Sequence, residues 1–197
     1  MTRAAQEIVC RTLTPGRWDD LLELFGERGA YAGCWCMFFR VRQSEFAEGA
    51  RDKGRGNRRA FKKLVDRRKV PGLLAYVDGR PVGWCSVAPR SQFGRVERSP
   101  TTKPVDDESG VWSIVCFYID RRHRGRGVGS VLLEGAVEHA RKKGARIVEG
   151  YPIDSSVRKV PNAEGYVGFQ SMFEAAGFEE VARRSSSRPV MRYRIDV

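Results

Sequence analysis

Hydrophobic positions in this chain fall into short dense runs separated by charged or glycine-bearing stretches. Val111 to Ile119 is almost wholly apolar and β-favouring, the pattern of a strand covered on both faces in the middle of a sheet. Leu73 to Val77 and Pro81 to Ala88 are further apolar strands, joined across Asp78-Gly79, a pair that favours a tight hairpin turn. Ile8 to Thr12, Ala145 to Tyr151, Phe178 to Ala182 and Val190 to Ile195 also read as strands. Helical spacing replaces this rhythm at Arg17 to Glu27, where Trp18, Leu21, Leu22, Leu24 and Phe25 share a face, and at Asn57 to Lys69, where Phe61, Leu64 and Val65 do. A longer helix opens at Val128. Its apolar face carries Val131, Leu132, Ala136 and Ala140, and Lys142-Lys143-Gly144 gives it a basic last turn and a glycine stop. Gly165 to Ala176 reads as one more helix. Tyr31 to Val41, aromatic and irregular, is a buried loop or strand, and the polar stretch Ser91 to Gly110 is a loop.

Composition adds limits to this picture. At 197 residues with 41% hydrophobic and 10% aromatic residues, the chain suits one domain over 1–197 that buries its own core. Five cysteines make an odd set, and no apolar run has signal-peptide or membrane-span length, which points to reduced thiols, a cytoplasmic location and no membrane partner. Cys34-x-Cys36 lacks a second closely spaced pair, so no metal is expected. Cys116 within an apolar strand is a buried thiol rather than a nucleophile. Of the net charge of +12, a surplus of eight lies in Arg51 to Lys69. A solvated helix face is the simplest account of that segment, with nucleic acid or a phosphorylated or carboxylated substrate as the alternatives.

The chemistry concentrates between the apolar strand and the long helix. Glycines at 125, 127 and 129 leave the backbone bare, so successive N–H groups can approach an anion closely, while the helix start adds partial positive charge. Arg124 and Arg126 can add charge-assisted bonds to phosphate oxygens. The spacing fits neither a P-loop nor a Rossmann fingerprint.

Arg124-x-x-Gly127-x-Gly129 resembles the Arg/Gln-x-x-Gly-x-Gly/Ala signature of the GNAT superfamily of N-acetyltransferases. The Asp-Gly hairpin, the strand ending Phe117-Tyr118-Ile119, the following helix and Phe173-Glu174-Ala175-Ala176-Gly177-Phe178 occur in that family's order. The resemblance spans about Leu73 to Val197. It implies an α/β (α+β) fold, a mixed and mostly antiparallel central sheet with helices on both faces, whose strands at Ile119 and 146–151 diverge to admit a cofactor. It implies that the backbone of Gly125, Arg126, Gly127, Val128, Gly129 and Ser130, with Arg124, binds the pyrophosphate of acetyl-CoA. Phe117, Tyr118 and Ile119 would pair with the pantetheine arm. A primary amine of a small molecule or protein would attack the thioester directly in a ternary complex.

Phe173 stands where the family often has a tyrosine that protonates the departing thiolate, and Tyr166 where an asparagine is frequent. Tyr166, two helical turns from Phe173, could supply the proton, as could Ser171, or the thiolate could leave unaided. Glu149 or a chain of waters would remove the amine proton. The alternative to an enzyme is a non-catalytic acyl-CoA-binding or regulatory module. Expected partners are acetyl-CoA and the amine, with a homodimer or nucleic acid as subsidiary alternatives.

Overall fold

Among the described residues seven strands join in one sheet, in the order β1-β2-β3-β4-β5-β7-β6. The computed structural model describes residues 7–157, 160 and 164–195. Its elements in chain order are β1 (Ile8–Thr12), α1 (Trp18–Phe25), α2 (Gln43–Asp66), β2 (Gly72–Val77), β3 (Arg80–Pro89), α3 (Gly94–Arg98), β4 (Val111–Ile119), α4 (Val128–Lys142), β5 (Ile147–Gly150), α5 (Gln170–Ala175), β6 (Glu179–Arg183) and β7 (Pro189–Arg194). All neighbouring strands are antiparallel except β4 and β5, which run parallel. The mixed sheet with helices on both faces is therefore the architecture that forms, and the almost wholly apolar β4 lies at its middle.

The alternation of side chains along the strands separates two cores. Leu73, Ala75, Val77 and Cys85 pack with Leu132, Leu133 and Ala136 of α4. Leu74 and Trp84 face the other way, onto Leu21 and Phe25 of α1 and Phe61 and Val65 of α2. Each such side chain, fully buried, stabilises the fold by roughly 1.5–3 kcal/mol. At the β2–β3 turn, Asp78 (φ 50°) and Gly79 (φ 75°) both take the left-handed conformation that the Asp-Gly pair favours.

Two segments differ from their sequence patterns, and a third takes one of the two forms expected of it. The helix expected over 57–69 is the second part of α2, which begins at Gln43 and is kinked where Arg51 to Gly54 leave helical geometry. At the kink Gly54 meets Gly33 so closely that a Cβ on Gly33 would lie 2.8 Å from the Gly54 Cα. Tyr31 to Val41 forms successive turns rather than a strand, with Trp35 and Cys36 at positive φ. Stacking of Trp35 on Trp18 (6.2 Å between ring centroids) and a hydrogen bond from Trp84 Nε1 to Cys36 Sγ (2.9 Å) hold it in place. Within Ser91 to Gly110, burial of Phe93 and Val96 stabilises the short α3, an apolar pair too small to register as a period.

Candidate functional site

After β4 the chain makes a turn at Arg121–His123, fixed by Asp120, whose carboxylate accepts from the Arg122 backbone N–H at 2.8 Å. The Arg122 guanidinium beside it holds the Asp120 carboxyl down at about 2. Arg124 Nε then donates to the Ile119 carbonyl (3.1 Å), tying the glycine segment back to the strand end. Gly125 (φ 69°) and Gly127 (φ 81°) have open space where a Cβ would stand, so conformation alone demands glycine at both. Gly129 is needed for a different reason: a Cβ there would lie 3.0 Å from Met172 Sδ, so its smallness lets α4 approach α5. Val128 is buried and anchors the helix start, while Gly125, Arg126, Gly127 and Ser130 are exposed. No acidic side chain lies in the first turn of α4, and its leading N–H groups have no acceptor within the helix. The result is an exposed nest of donors with two flanking guanidinium groups, suited to an anion with several oxygens.

Beside this nest the sheet forks. The β4–β5 pairing runs from Val111↔Ile147 to Ile114↔Gly150 and ends there, while β4 continues from Val115 to Ile119. On its other side β4 carries a bulge, because Ser86 opposes Cys116 and Val87 opposes Ile114, leaving Val115 as the extra residue. The chain after β5 pairs instead with the segment before α5: Ile153 N donates to Gly168 O (3.0 Å), and Gln170 N to Ile153 O (2.9 Å). Phe117, Tyr118 and Ile119 thus lie on the stretch of β4 that has lost its parallel partner, next to the glycine segment.

Phe173 occupies the fork from the α4 side. It is fully buried, its ring edge-on to Phe117 (6.2 Å) and to Phe178 (5.0 Å). A Cβ on Gly150 would fall 2.1 Å from Phe173 Cε1, so the glycine at the end of β5 makes room for the ring. The helix expected from Gly165 to Ala176 is not continuous. Gly165–Val167 is a separate 3-10 turn, Gly168 (φ 82°) breaks the path, and α5 starts at Gln170. Tyr166 consequently does not share a helical face with Phe173. It lies on the turn at 36% exposure, its ring 6.3 Å from Phe39, and burial raises its hydroxyl above the ordinary tyrosine value.

Glu149 is placed in a way that is at odds with a general base. It is 0% exposed. Its Oε1 accepts from the Tyr151 hydroxyl at 2.6 Å and its Oε2 from Arg192 Nε at 2.7 Å. Ser113 bonds the same tyrosine (3.0 Å), and Asp106 takes the far side of the Arg192 guanidinium (2.5 and 3.0 Å). Glu149 and Ser113 are register partners, one pair before the strands part, so this network locks the base of the fork. The sequence pattern misses it because Asp106, Glu149 and Arg192 are far apart along the chain.

On the face opposite α4 a cavity of 640 Å³ opens, lined among others by Phe38, Phe39, Arg42, Arg95, Arg98 and Tyr166. Phe39 packs with Val115, the bulge residue of β4, so the cavity floor abuts the fork. Nearby thiols offer no nucleophile: the hydrogen bond to Cys36 and burial push Cys116 far up, and burial pushes Cys34 up to about 11.

The model of the acetyltransferase (GNAT) family matches residues 35–153 of this chain. The chain is 28% identical over 139 residues to an uncharacterized N-acetyltransferase of Methanocaldococcus jannaschii, covering 71% of this chain and 50% of that protein. It thus spans about half the length of the curated relative it matches. Among solved structures it is similar to a ribosomal-protein-alanine N-acetyltransferase from Brucella melitensis (TM-score 0.55, 18% identity, 95% of this chain and 99% of that one). It is likewise similar to YncA of Salmonella typhimurium, solved with acetyl-CoA (0.54, 16%, 97% and 95%), and to the PaiA N-acetyltransferase of Thermoplasma acidophilum, solved with coenzyme A (0.52, 16%, 96% and 99%). At these identities the structural likeness concerns the fold.

Proposed function

This chain belongs to the GNAT family of acetyltransferases, and from that membership we propose that it moves the acetyl group of acetyl-CoA onto a primary amine by direct attack in a ternary complex. The observation that carries this reading is the adjacency of the donor nest at residues 125–130 and the stretch of β4 from Val115 to Ile119 whose edge toward β5 has no parallel partner. The nest suits the pyrophosphate, with Arg124 and Arg126 at its edge, and the free strand edge at Phe117, Tyr118 and Ile119 offers backbone pairing to the amide-bearing pantetheine arm.

In this scheme the amine nitrogen bonds to the thioester carbon, the carbon–sulfur bond breaks, and the thiolate takes a proton as it leaves. A backbone N–H near Phe117 polarises the carbonyl as charge develops on its oxygen. Tyr166, whose hydroxyl keeps its proton at neutral pH, donates to the thiolate. Since both oxygens of Glu149 are engaged inside the sheet, water removes the amine proton. Titration calorimetry with acetyl-CoA and release of free coenzyme A in the presence of amines test the proposal; absence of binding up to millimolar concentration defeats it.

A coenzyme A thiolate departs readily, so the help it needs is modest. Tyr166→Phe is expected to lower kcat about tenfold with little change in the KM for acetyl-CoA, less than the roughly 10²–10⁴-fold of a general acid whose leaving group needs more help. An unchanged kcat removes Tyr166 from the chemistry.

A further inference from the structure

The cavity beside the fork carries a charge pattern that the family signature does not explain. Four of its lining residues are arginines, Arg42, Arg95, Arg98 and Arg188, and none is acidic. This is not a mere reflection of the chain's overall charge, because another cavity, of 430 Å³ beside β1, sets Arg11 and Arg17 against Glu7, Asp20 and Asp78. Among the described residues Arg42, Arg95 and Arg98 form no ion pair. Arg95 is nevertheless held in position: its Nε donates to the Phe38 carbonyl (2.8 Å), one terminal nitrogen donates to Gln43 Oε1 (2.7 Å), and the guanidinium sits 4.0 Å over the Phe38 ring. These partners are neutral, so they orient the cation without cancelling its charge. Glu45 accepts from the Arg42 backbone N–H at the start of α2 and lies outside the lining.

An acceptor amine is itself cationic before it reacts, and a wall of arginines repels it unless another part of the same molecule supplies negative charge. The volume of 640 Å³ suits a small molecule. We propose that the acceptor is a small primary amine carrying a carboxylate or phosphate, which Arg95 and Arg98 hold while its amine is turned toward Tyr166 and the fork. The inference rests on the acetyl-transfer reading and narrows it. Polyamines and lysine-rich peptide segments are the substrates it excludes.

The test uses the purified full chain and coenzyme A release, with β-alanine compared to β-alanine amide, phosphoethanolamine compared to ethanolamine, and spermidine as a cationic amine. The expected result is a kcat/KM at least about tenfold higher for one or both anionic members than for the neutral counterpart, with spermidine poorest. The carboxylate and phosphate arms report which anion is preferred. Arg98→Gln is expected to remove about tenfold of the preference, Arg98→Lys to restore most of it, and Lys63→Gln on the exposed face of α2 to leave it unchanged. Neutral or cationic amines reacting as well as the anionic ones in the unmodified protein overturn the inference, and that comparison needs no variant to fold. Acetyl-CoA affinity, titrated in parallel, separates the two ideas: intact binding with no anionic preference defeats the acceptor class alone, whereas lost binding defeats the acetyl-transfer reading beneath it.

Discussion

Gly127→Val is expected to weaken acetyl-CoA binding by about a hundredfold while leaving the fold in place. At φ 81° a β-branched residue is strained by roughly 1–2 kcal/mol, and because nothing surrounds the position, relief comes through rotation of the loop rather than a clash. Rotation turns the N–H groups that follow away from a common centre. Losing two charge-assisted bonds at roughly 1.5 kcal/mol each accounts for the hundredfold. Calorimetric titration measures the affinity, and a thermal melt shows that α4, anchored by buried Val128 and Leu132, is still docked. Unchanged affinity would mean that the pyrophosphate binds elsewhere.

Glu149→Ala is expected to destabilise the protein by about 3–5 kcal/mol, the cost of stripping one partner from a buried guanidinium. Arg192 is 3% exposed and would keep only Asp106 on its outer side, while the Tyr151 hydroxyl would lose its acceptor inside the core. Denaturant unfolding gives the size of the loss. The same experiment distinguishes the two roles considered for this residue. If Glu149 were the base, Glu149→Gln would leave stability nearly intact and lower kcat by about a hundredfold or more. If it locks the fork, the variant unfolds more easily and its folded fraction retains turnover.

How much could be read in advance depended on the range of the forces involved. The hairpin at Asp78-Gly79, the buried β4 and the glycine segment are local: each is dictated by a few adjacent residues whose conformational preferences agree with the fold. The fork followed from family resemblance, and the register of β4 on β5 gives it a position, after Ile114 and Gly150. What the sequence hid is tertiary. Trp35 and Cys36 adopt left-handed geometry because Trp18 and Trp84 capture them from elsewhere in the chain, against their own preference. The first part of α2 has Phe46 alone as a partly buried hydrophobic anchor, too little to mark a helix. Gly168 divides the segment around Tyr166 where the apolar spacing runs on without a break. Arg42 stands at the start of α2 while Arg95 and Arg98 share α3, about fifty residues on, and only folding gathers them around one cavity.

Phe173 fills the α4 side of the fork with a ring that offers no hydrogen-bonding group and leaves no gap against Gly150. An acyl thioester resting against β4 is therefore screened from bulk solvent on that flank. Hydrolysis, the wasteful competitor of every acyl transfer, would need water to arrive through the same opening as the amine. On the acetyl-transfer reading, the phenylalanine offers no hydroxyl to hold a water at the sulfur, so the water that takes the amine proton would come from the side of the arginine-lined cavity.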